Sequence, residues 1–511
     1  RSRRPSRLAR PFSPGAPTAP CGRRGGPSAG GSGRGGLGPA GPMLGGEPSA
    51  SSSSGGAASS AAPPPEARRG EQAQYREVPD PEDVRDTDLL YFQQFVEWVE
   101  EAPGDFAVAL QMSEKHGVAF MVTKMGTTKV KGLSDAILGK VELHKTEDAR
   151  TLVVKKMQNH LVEACRDRQP RSREESNNED ALTEIGTLLY LTRRGRLSEG
   201  TGEAYPDSLL RLIGCFRDDT FTWLATEHCD GGELLTFLSA SPDMMTENQV
   251  QRYMQQLLQA VEYLHRNNVG HRDISLENIL VKGGRQLKLM DFGQAVLCRK
   301  GDGIGKFRYF RVIGKPYYRA PEVYWPGKHE ALQVRTVRPV GPTGSVAQVH
   351  PDHARGYLYQ IQLPPGEPGE TCDADLAGYE AEAIDMFAVG ACMFIIQYKV
   401  PPWRSALLSD KGFKFVFVKG SVARLLQAWK LPRFSVSGED LLVGLTQTDP
   451  AKRWSCRQAM NCAWVRQAPA DAAVDAAAAG LSAMSVSGAA AGAAQGGRAG
   501  AGLAGSSGGA A

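Results

Sequence analysis

Apolar positions along the middle of the chain change rhythm in a way that separates two structural layers. Over residues 81–101 they fall at Leu89, Phe92, Phe95, Val96 and Val99 with acidic residues between them, the spacing of an amphipathic helix. Runs of β-branched and apolar residues follow at 118–124, 137–143 and 152–157, each read as a strand. A helical pattern over 178–192 interrupts them, and two further strand-like segments stand at 209–215 and 222–227. From Glu233 onward helical spacing dominates, most clearly over 247–266 and 383–397. Strands first and helices afterwards predict an α+β unit with a small sheet-rich lobe followed by a helical one.

The ends do not share this patterning. Residues 1–70 are Gly, Pro, Ser, Ala and Arg with almost no large apolar side chain, and residues 469–511 are Ala, Gly and Ser. Such tracts bury too little apolar surface to offset the entropy of ordering, so tails at 1–75 and 468–511 are expected to be disordered. The first tail is Arg-rich and acid-free up to Glu47, which also resembles an organelle transit peptide. The net charge of +4 is mild and much of it sits on arginines in the first 35 residues, so no basic face for nucleic acid is expected. Nine scattered cysteines without a Cys-x-x-Cys pair fit reduced thiols in the cytoplasm or nucleus. No apolar run reaches the length of a membrane span; the best, 386–396, suits a buried core helix, and no membrane partner is expected.

Chemistry concentrates in three motifs. His271-Arg272-Asp273-Ile274-Ser275-Leu276-Glu277-Asn278 is followed by Asp291-Phe292-Gly293 and then by Ala320-Pro321-Glu322. In this order they resemble the catalytic loop, the metal-binding triplet and the activation-segment end of the eukaryotic protein kinase superfamily, serine/threonine type. A single triplet is common by chance; three in order, between a lysine-bearing strand and an apolar helix, are specific. The resemblance covers about 118–464. It implies a two-lobed fold, with a small antiparallel-sheet N-lobe carrying one helix and a larger, mainly helical C-lobe. The domain would span 118–467, with its N-lobe at 118–228, its C-lobe at 229–467 and a helical extension at 76–117. ATP and Mg²⁺ are the implied cofactors, a protein hydroxyl the substrate, and γ-phosphoryl transfer the reaction.

The resemblance also assigns roles. Phosphoryl transfer needs positioning and charge neutralisation more than covalent chemistry. Asp273 would orient the substrate hydroxyl, and Asn278 and Asp291 would hold Mg²⁺ through oxygen, as that cation prefers. Lys155, in Leu152-Val153-Val154-Lys155, would grip the phosphates. Its helix partner is Glu184, with Glu179 the alternative, and a charged loop fills 165–179. At the hinge between lobes, the backbone of Glu227 and Cys229 would meet adenine and Glu233 would reach the ribose. Gly139, Val141, Val153 and Leu280 complete the expected nucleotide site. Asp385 opens the core helix, and Arg453 would pair with Glu322 as a structural ion pair.

Three departures stand out. The phosphate-covering loop has Ser134 and Ala136 where two glycines belong; alternatively it opens at Gly126 with residues inserted. Ser275 replaces the catalytic-loop lysine, while Lys315 stands where the family usually has threonine. Either the two have exchanged roles, Lys315 supplying the ammonium beside Asp273, or Lys315 points to solvent. Finally, about sixty residues separate Glu322 from Asp385 where the family uses about a dozen. Rich in Pro, Gly and charge, this insertion at about 326–380 is expected to be disordered, or else to dock a regulatory partner.

Between Asp291 and Ala320 there is no Ser or Thr, so activity should not depend on their phosphorylation. Only Tyr309, Tyr317 and Tyr318 offer an acceptor, and Asp302 is a candidate to neutralise Arg272 instead. Glu233 and Glu277 favour basic substrates, whereas Arg299, Lys300, Lys306, Arg308 and Arg311 oppose them. The chief rival reading is a catalytically inactive pseudokinase scaffold. Calcium control through a built-in sensor is not expected, because no Asp-rich twelve-residue loop occurs.

Overall fold

The computed structural model describes residues 91–99, 106–116, 118–122, 126–136, 138–165, 180–197, 204–240, 243–301, 303–324, 333–339 and 348–467. The tails, Glu179 and Asp302 therefore lie outside the described residues. The first lobe is built on a seven-stranded sheet: β1 (Trp98–Val99), β2 (Ala119–Met121), β3 (Thr127–Ala136), β4 (Gly139–Thr146), β5 (Thr151–Gln158), β6 (Leu212–Arg217) and β7 (Phe221–Glu227). Their spatial order is β1-β2-β6-β7-β5-β4-β3. Five strands form the expected antiparallel core. To it β2, the strand expected at 118–124, adds in parallel beside β6, and β1 of the N-terminal extension adds in parallel beside β2.

Over 91–99 the extension corrects the helix expected at 81–101, whose other residues lie outside the described residues. Residues Tyr91–Phe95 make a single 3-10 turn, β1 follows, and the regular helix α1 (Phe106–His116) comes later. The apolar stripe at Phe92, Phe95 and Val96 is real, but it buries against a neighbouring helix rather than completing one of its own. Strand β3 left no apolar signal because almost every residue along it is exposed.

Two helices accompany this sheet on the path to β6, α2 (Asn159–Glu163) and α3 (Ala181–Leu197). The Asp180 carboxylate starts α3 by accepting from the Thr183 N–H at 2.9 Å. In the second lobe, α4 (Leu234–Ser239) precedes α5 (Glu247–Arg266), which matches the expected span and opens on a Thr246–Gln249 capping box. Four short strands, β8 (Val269–Gly270), β9 (Ile279–Lys282), β10 (Gln286–Leu289) and β11 (Val296–Leu297), carry the motif loops between them.

The insertion is not the disordered segment expected of it. Strands β12 (Gln333–Val337), β13 (Gln348–Asp352), β14 (Tyr357–Gln362) and β15 (Thr371–Leu376) form an antiparallel sheet in the order β12-β15-β14-β13. Tyr359, Ile361, Ala374 and Leu376 make its own small core. Leu358 and Gln360, on the other face of β14, are buried too, so the strand shows no simple alternation.

Beyond it lie α6 (Ala381–Tyr398), α7 (Lys411–Lys419), α8 (Val422–Trp429), α9 (Val436–Leu445), α10 (Cys456–Met460) and α11 (Ala463–Arg466). By length and composition α6 could span a membrane, but 89% of it is buried inside the protein, as a core helix should be. The cysteines among the described residues are free.

Candidate active site

Strand register sets the upper wall. Lys155 pairs with Val141 on one side and Leu224 on the other, and Val153 lies two residues back on the same strand. Val141, Val153 and Lys155 thus share one face of the sheet. Lys155 Nζ donates to Glu184 Oε2 at 2.8 Å, both side chains being mostly buried. The β3–β4 hairpin closes between Ala136 and Gly139, and Ser134 faces Val141. Ser134 and Ala136 therefore occupy the loop, while Gly126 stands at the opposite end of the hairpin. Gly139 allows close passage: a Cβ there would lie 1.9 Å from the Lys156 carbonyl oxygen.

The extension buttresses this wall. Phe92 and Phe95 pack on Tyr190 of α3, with ring centroids 5.4 and 4.8 Å apart. Gln93 Nε2 donates to Asp180 Oδ2 at 2.9 Å, at the start of the helix that carries Glu184. A Cβ on Gly186 would sit 1.9 Å from the Phe92 carbonyl oxygen. Glycine inside a helix costs about 1 kcal/mol against alanine, so here it marks a contact that excludes any side chain.

The hinge residues divide. Glu233 and Leu280 are joined by a backbone bridge, and Gly231 N–H donates to Val281 O at 2.9 Å. The Glu227 side chain serves the scaffold: it accepts from Lys282 at 2.6 Å, Lys288 at 2.8 Å and the Arg211 N–H at 3.0 Å. Burial opposes its ionisation, but these bonds together hold its carboxyl below the usual range. Only its backbone remains for the expected adenine contact. Burial pushes the Cys229 thiol up to about 11, which leaves it an inert wall residue at neutral pH.

The catalytic loop hangs from Asp385. That carboxylate, 1% exposed, accepts from the N–H groups of His271 and Arg272 at 2.8 and 2.7 Å and meets His265 Nε2 at 3.0 Å. Arg272 and Asp291 both have a φ of +66°, a conformation such residues hold only when their surroundings impose it. Asn278 Nδ2 donates to Asp273 O at 2.8 Å and Oδ2 at 2.9 Å. Lys315 Nζ reaches Ser275 Oγ at 2.8 Å, Asn278 Oδ1 at 3.0 Å and Asp273 Oδ2 at 3.5 Å. It points into the site, not to solvent. Asp273 Oδ1 is buried and has no hydrogen-bond partner among the described residues.

Burial raises the Asp273 carboxyl above the ordinary range; Lys315 pulls it back and Asp291 pushes it further up. Asp291 Oδ1 accepts from Gly293 N–H at 3.3 Å, and Phe292 is fully buried against the His271 ring. An all-oxygen set from Asp291 and Asn278 fits a hard divalent cation, and one lone pair of the Asn278 amide oxygen remains beside its bond to Lys315. The Glu322–Arg453 pair is present and buried, with contacts of 2.6 and 3.1 Å. Removing one partner would strand a buried charge and destabilise the lobe.

Two of the three tyrosines of the activation segment are poor candidates for phosphate, Tyr317 being only half-buried. Tyr309 is 1% exposed, its hydroxyl donates to Leu297 O at 2.7 Å, and the Arg272 guanidinium lies 5.1 Å from its ring centroid. Tyr318 is buried as well. The residue that sequence reasoning missed is Tyr379, whose hydroxyl meets both Arg272 and the activation segment. No local pattern marks it, because its role depends on how the insertion returns to the lobe.

A two-lobed fold with an ion-paired lysine above and a carboxylate–asparagine loop below is that of a protein kinase domain. Residues 201–334 match the protein kinase domain family. The chain is 29% identical over 260 residues to serine/threonine-protein kinase CHK1 of Saccharomyces cerevisiae, a match covering 50% of this chain and 39% of that protein. It is 24% identical over 264 residues to calcium-dependent protein kinase 8 of Arabidopsis thaliana, covering 51% and 38%. With serine/threonine-protein kinase dst4 of Dictyostelium discoideum it shares 35% over 121 residues, 24% of each chain. The chain spans less than half the length of these relatives. The matched stretch resembles the protein kinase domain family, whose members use ATP and Mg²⁺.

Proposed function

We propose that the protein is an active protein serine/threonine kinase that transfers the γ-phosphoryl group of ATP to a protein hydroxyl. The observation that carries this reading is Lys315, whose ammonium stands 2.8 Å from Ser275 Oγ and 3.5 Å from Asp273 Oδ2. The charge missing from the catalytic loop is thereby returned from a different backbone segment, where it can stabilise developing negative charge on the transferred group. Asp273, its Oδ2 held by Asn278 and Lys315, orients the incoming hydroxyl. Lys155, fixed by Glu184, grips the phosphates. Asn278 and Asp291 would hold Mg²⁺, which would supply further charge neutralisation. A pseudokinase scaffold would have no use for this arrangement of ammonium, carboxylate and amide.

The test is a rescue. Lys315→Ala should lower kcat by about 100-fold, the scale of a lost electrostatic stabiliser, and adding Ser275→Lys should restore most of it. Failure of the double variant to recover would contradict the exchange. Because Lys315 pulls the Asp273 carboxyl down, its loss should also move the acid limb of the kcat profile to higher pH.

Glu233 and Glu277 support a basic substrate. Burial and then repulsion by Glu277 raise the Glu233 carboxyl, so a cationic side chain placed between the two would be favoured. Arg299, Lys306 and Arg308 repel such a peptide less than their number suggests, since Glu380 and Glu382 pair with them. A peptide array preferring acidic residues upstream would overturn this preference. Free and mostly buried cysteines support a reducing compartment, cytoplasm or nucleus.

A further inference from the structure

Kinase activation segments are commonly ordered by a phosphate that pairs with the arginine before the catalytic aspartate. Here the segment between Asp291 and Ala320 offers no Ser or Thr, Tyr309 and Tyr318 are buried, and Tyr317 alone of its tyrosines is half-buried. The end of the insertion lies against that same segment. Tyr309 and Tyr379 form a two-way backbone bridge, each N–H donating to the other's carbonyl at 2.9 Å. The Tyr379 hydroxyl donates to Arg311 O at 2.7 Å and accepts from Arg272 Nη1 at 3.3 Å. Arg272 Nε donates in turn to Gln294 O at 2.8 Å, inside the activation segment.

Charge follows the same seam. Glu380 pairs with Arg308 at 2.6 Å and Lys306 at 2.8 Å, and Glu382 pairs with Arg299 at 2.5 Å. Arg308 also reaches Gln360 Oε1 at 3.2 Å, on β14 of the inserted sheet. Gly378 has a φ of +65°, and a Cβ there would lie 2.7 Å from the Tyr309 carbonyl oxygen, so the two backbones meet without room for a side chain.

We propose that the end of the insertion, through Tyr379 and Glu380 together with Glu382 in the first turn of α6, is a built-in clamp that holds the activation segment and Arg272 in working position without phosphorylation. Tyr379 supplies the oxygen that Arg272 would otherwise find on a phosphate, and the two glutamates supply the negative charge for the segment's cations. Tyr379 is thus a positioning residue, acting on Asp273 through Arg272. The sheet that carries it is anchored by its own core and by Leu358, which packs into the main lobe. This inference rests on the reading of an active kinase.

The experiment uses the full chain, before and after phosphatase treatment, with complete dephosphorylation verified by mass. The dephosphorylated protein should keep kcat within about twofold of the untreated protein. Tyr379→Phe and Glu380→Gln should each lower kcat by about tenfold with KM for ATP nearly unchanged. Both should quicken amide exchange over residues 306–311, and Glu380→Asp should recover part of the rate. Loss of activity on dephosphorylation, or wild-type rates and exchange in both variants, would overturn the proposal. Should Tyr379→Phe fail to fold, Glu380→Gln carries the test. If the untreated protein transfers no phosphate at all, the reading of an active kinase fails, and unaltered exchange in the variants would then overturn the clamp separately.

Discussion

Two additions to the kinase lobes touch the two parts that kinases usually move, and they do so by different physics. The N-terminal extension meets α3, the helix of Glu184, through buried aromatic rings and a backbone approach at Gly186. The insertion meets the activation segment through a two-residue backbone bridge and partly exposed ion pairs. The first contact depends on apolar burial and shape, which salt leaves alone. The second depends largely on charge, which salt screens. One chain has thus placed a nearly permanent support under the lysine–glutamate pair and a more adjustable one under the catalytic loop.

The comparison breaks most sharply at the extension. Phe95→Ala should cost about 3–5 kcal/mol, the usual range for emptying a buried aromatic site, and thermal unfolding would record it. Gly186→Ala is the finer probe. In an exposed helix it would stabilise by about 1 kcal/mol; here it should lower the melting temperature and raise KM for ATP, because the new methyl group displaces Phe92 from α3. A melting temperature above wild type would mean that the extension is not seated on that helix.

Salt should separate the two contacts with a smaller effect. Pairs such as Lys306–Glu380 and Arg308–Glu380, with side-chain exposures of 42%/23% and 30%/23%, are worth at most about 1 kcal/mol each. Raising the ionic strength should quicken amide exchange over 306–311 and leave that over 91–99 unchanged. Equal responses would remove the distinction.

Much of the site was legible because chemistry forces residue types at fixed spacing. Asp273, Asn278 and Asp291 could be named from two ordered motifs, Lys155 from its strand and Glu184 from its place on a helix. Lys315 was legible only by subtraction: a missing lysine in one motif and a misplaced one in another. The β3 strand was not legible, since it buries neither face and leaves no period. The inserted sheet was hidden for the opposite reason, β14 being buried on both faces. The extension misled because its apolar stripe serves the packing of a 3-10 turn onto α3, and tertiary demand of that kind leaves no mark in local spacing. Tyr379 needed the fold itself, standing 107 residues from the arginine it meets.

The central claim is that this site transfers phosphate, and the direct measurement compares wild type with Asp273→Ala in transfer of the γ-phosphate from Mg²⁺-ATP to a mixed protein substrate. The account predicts phosphoserine or phosphothreonine from the wild type and loss of that product in the variant. Equal background from both folded proteins would contradict it and leave the domain a scaffold.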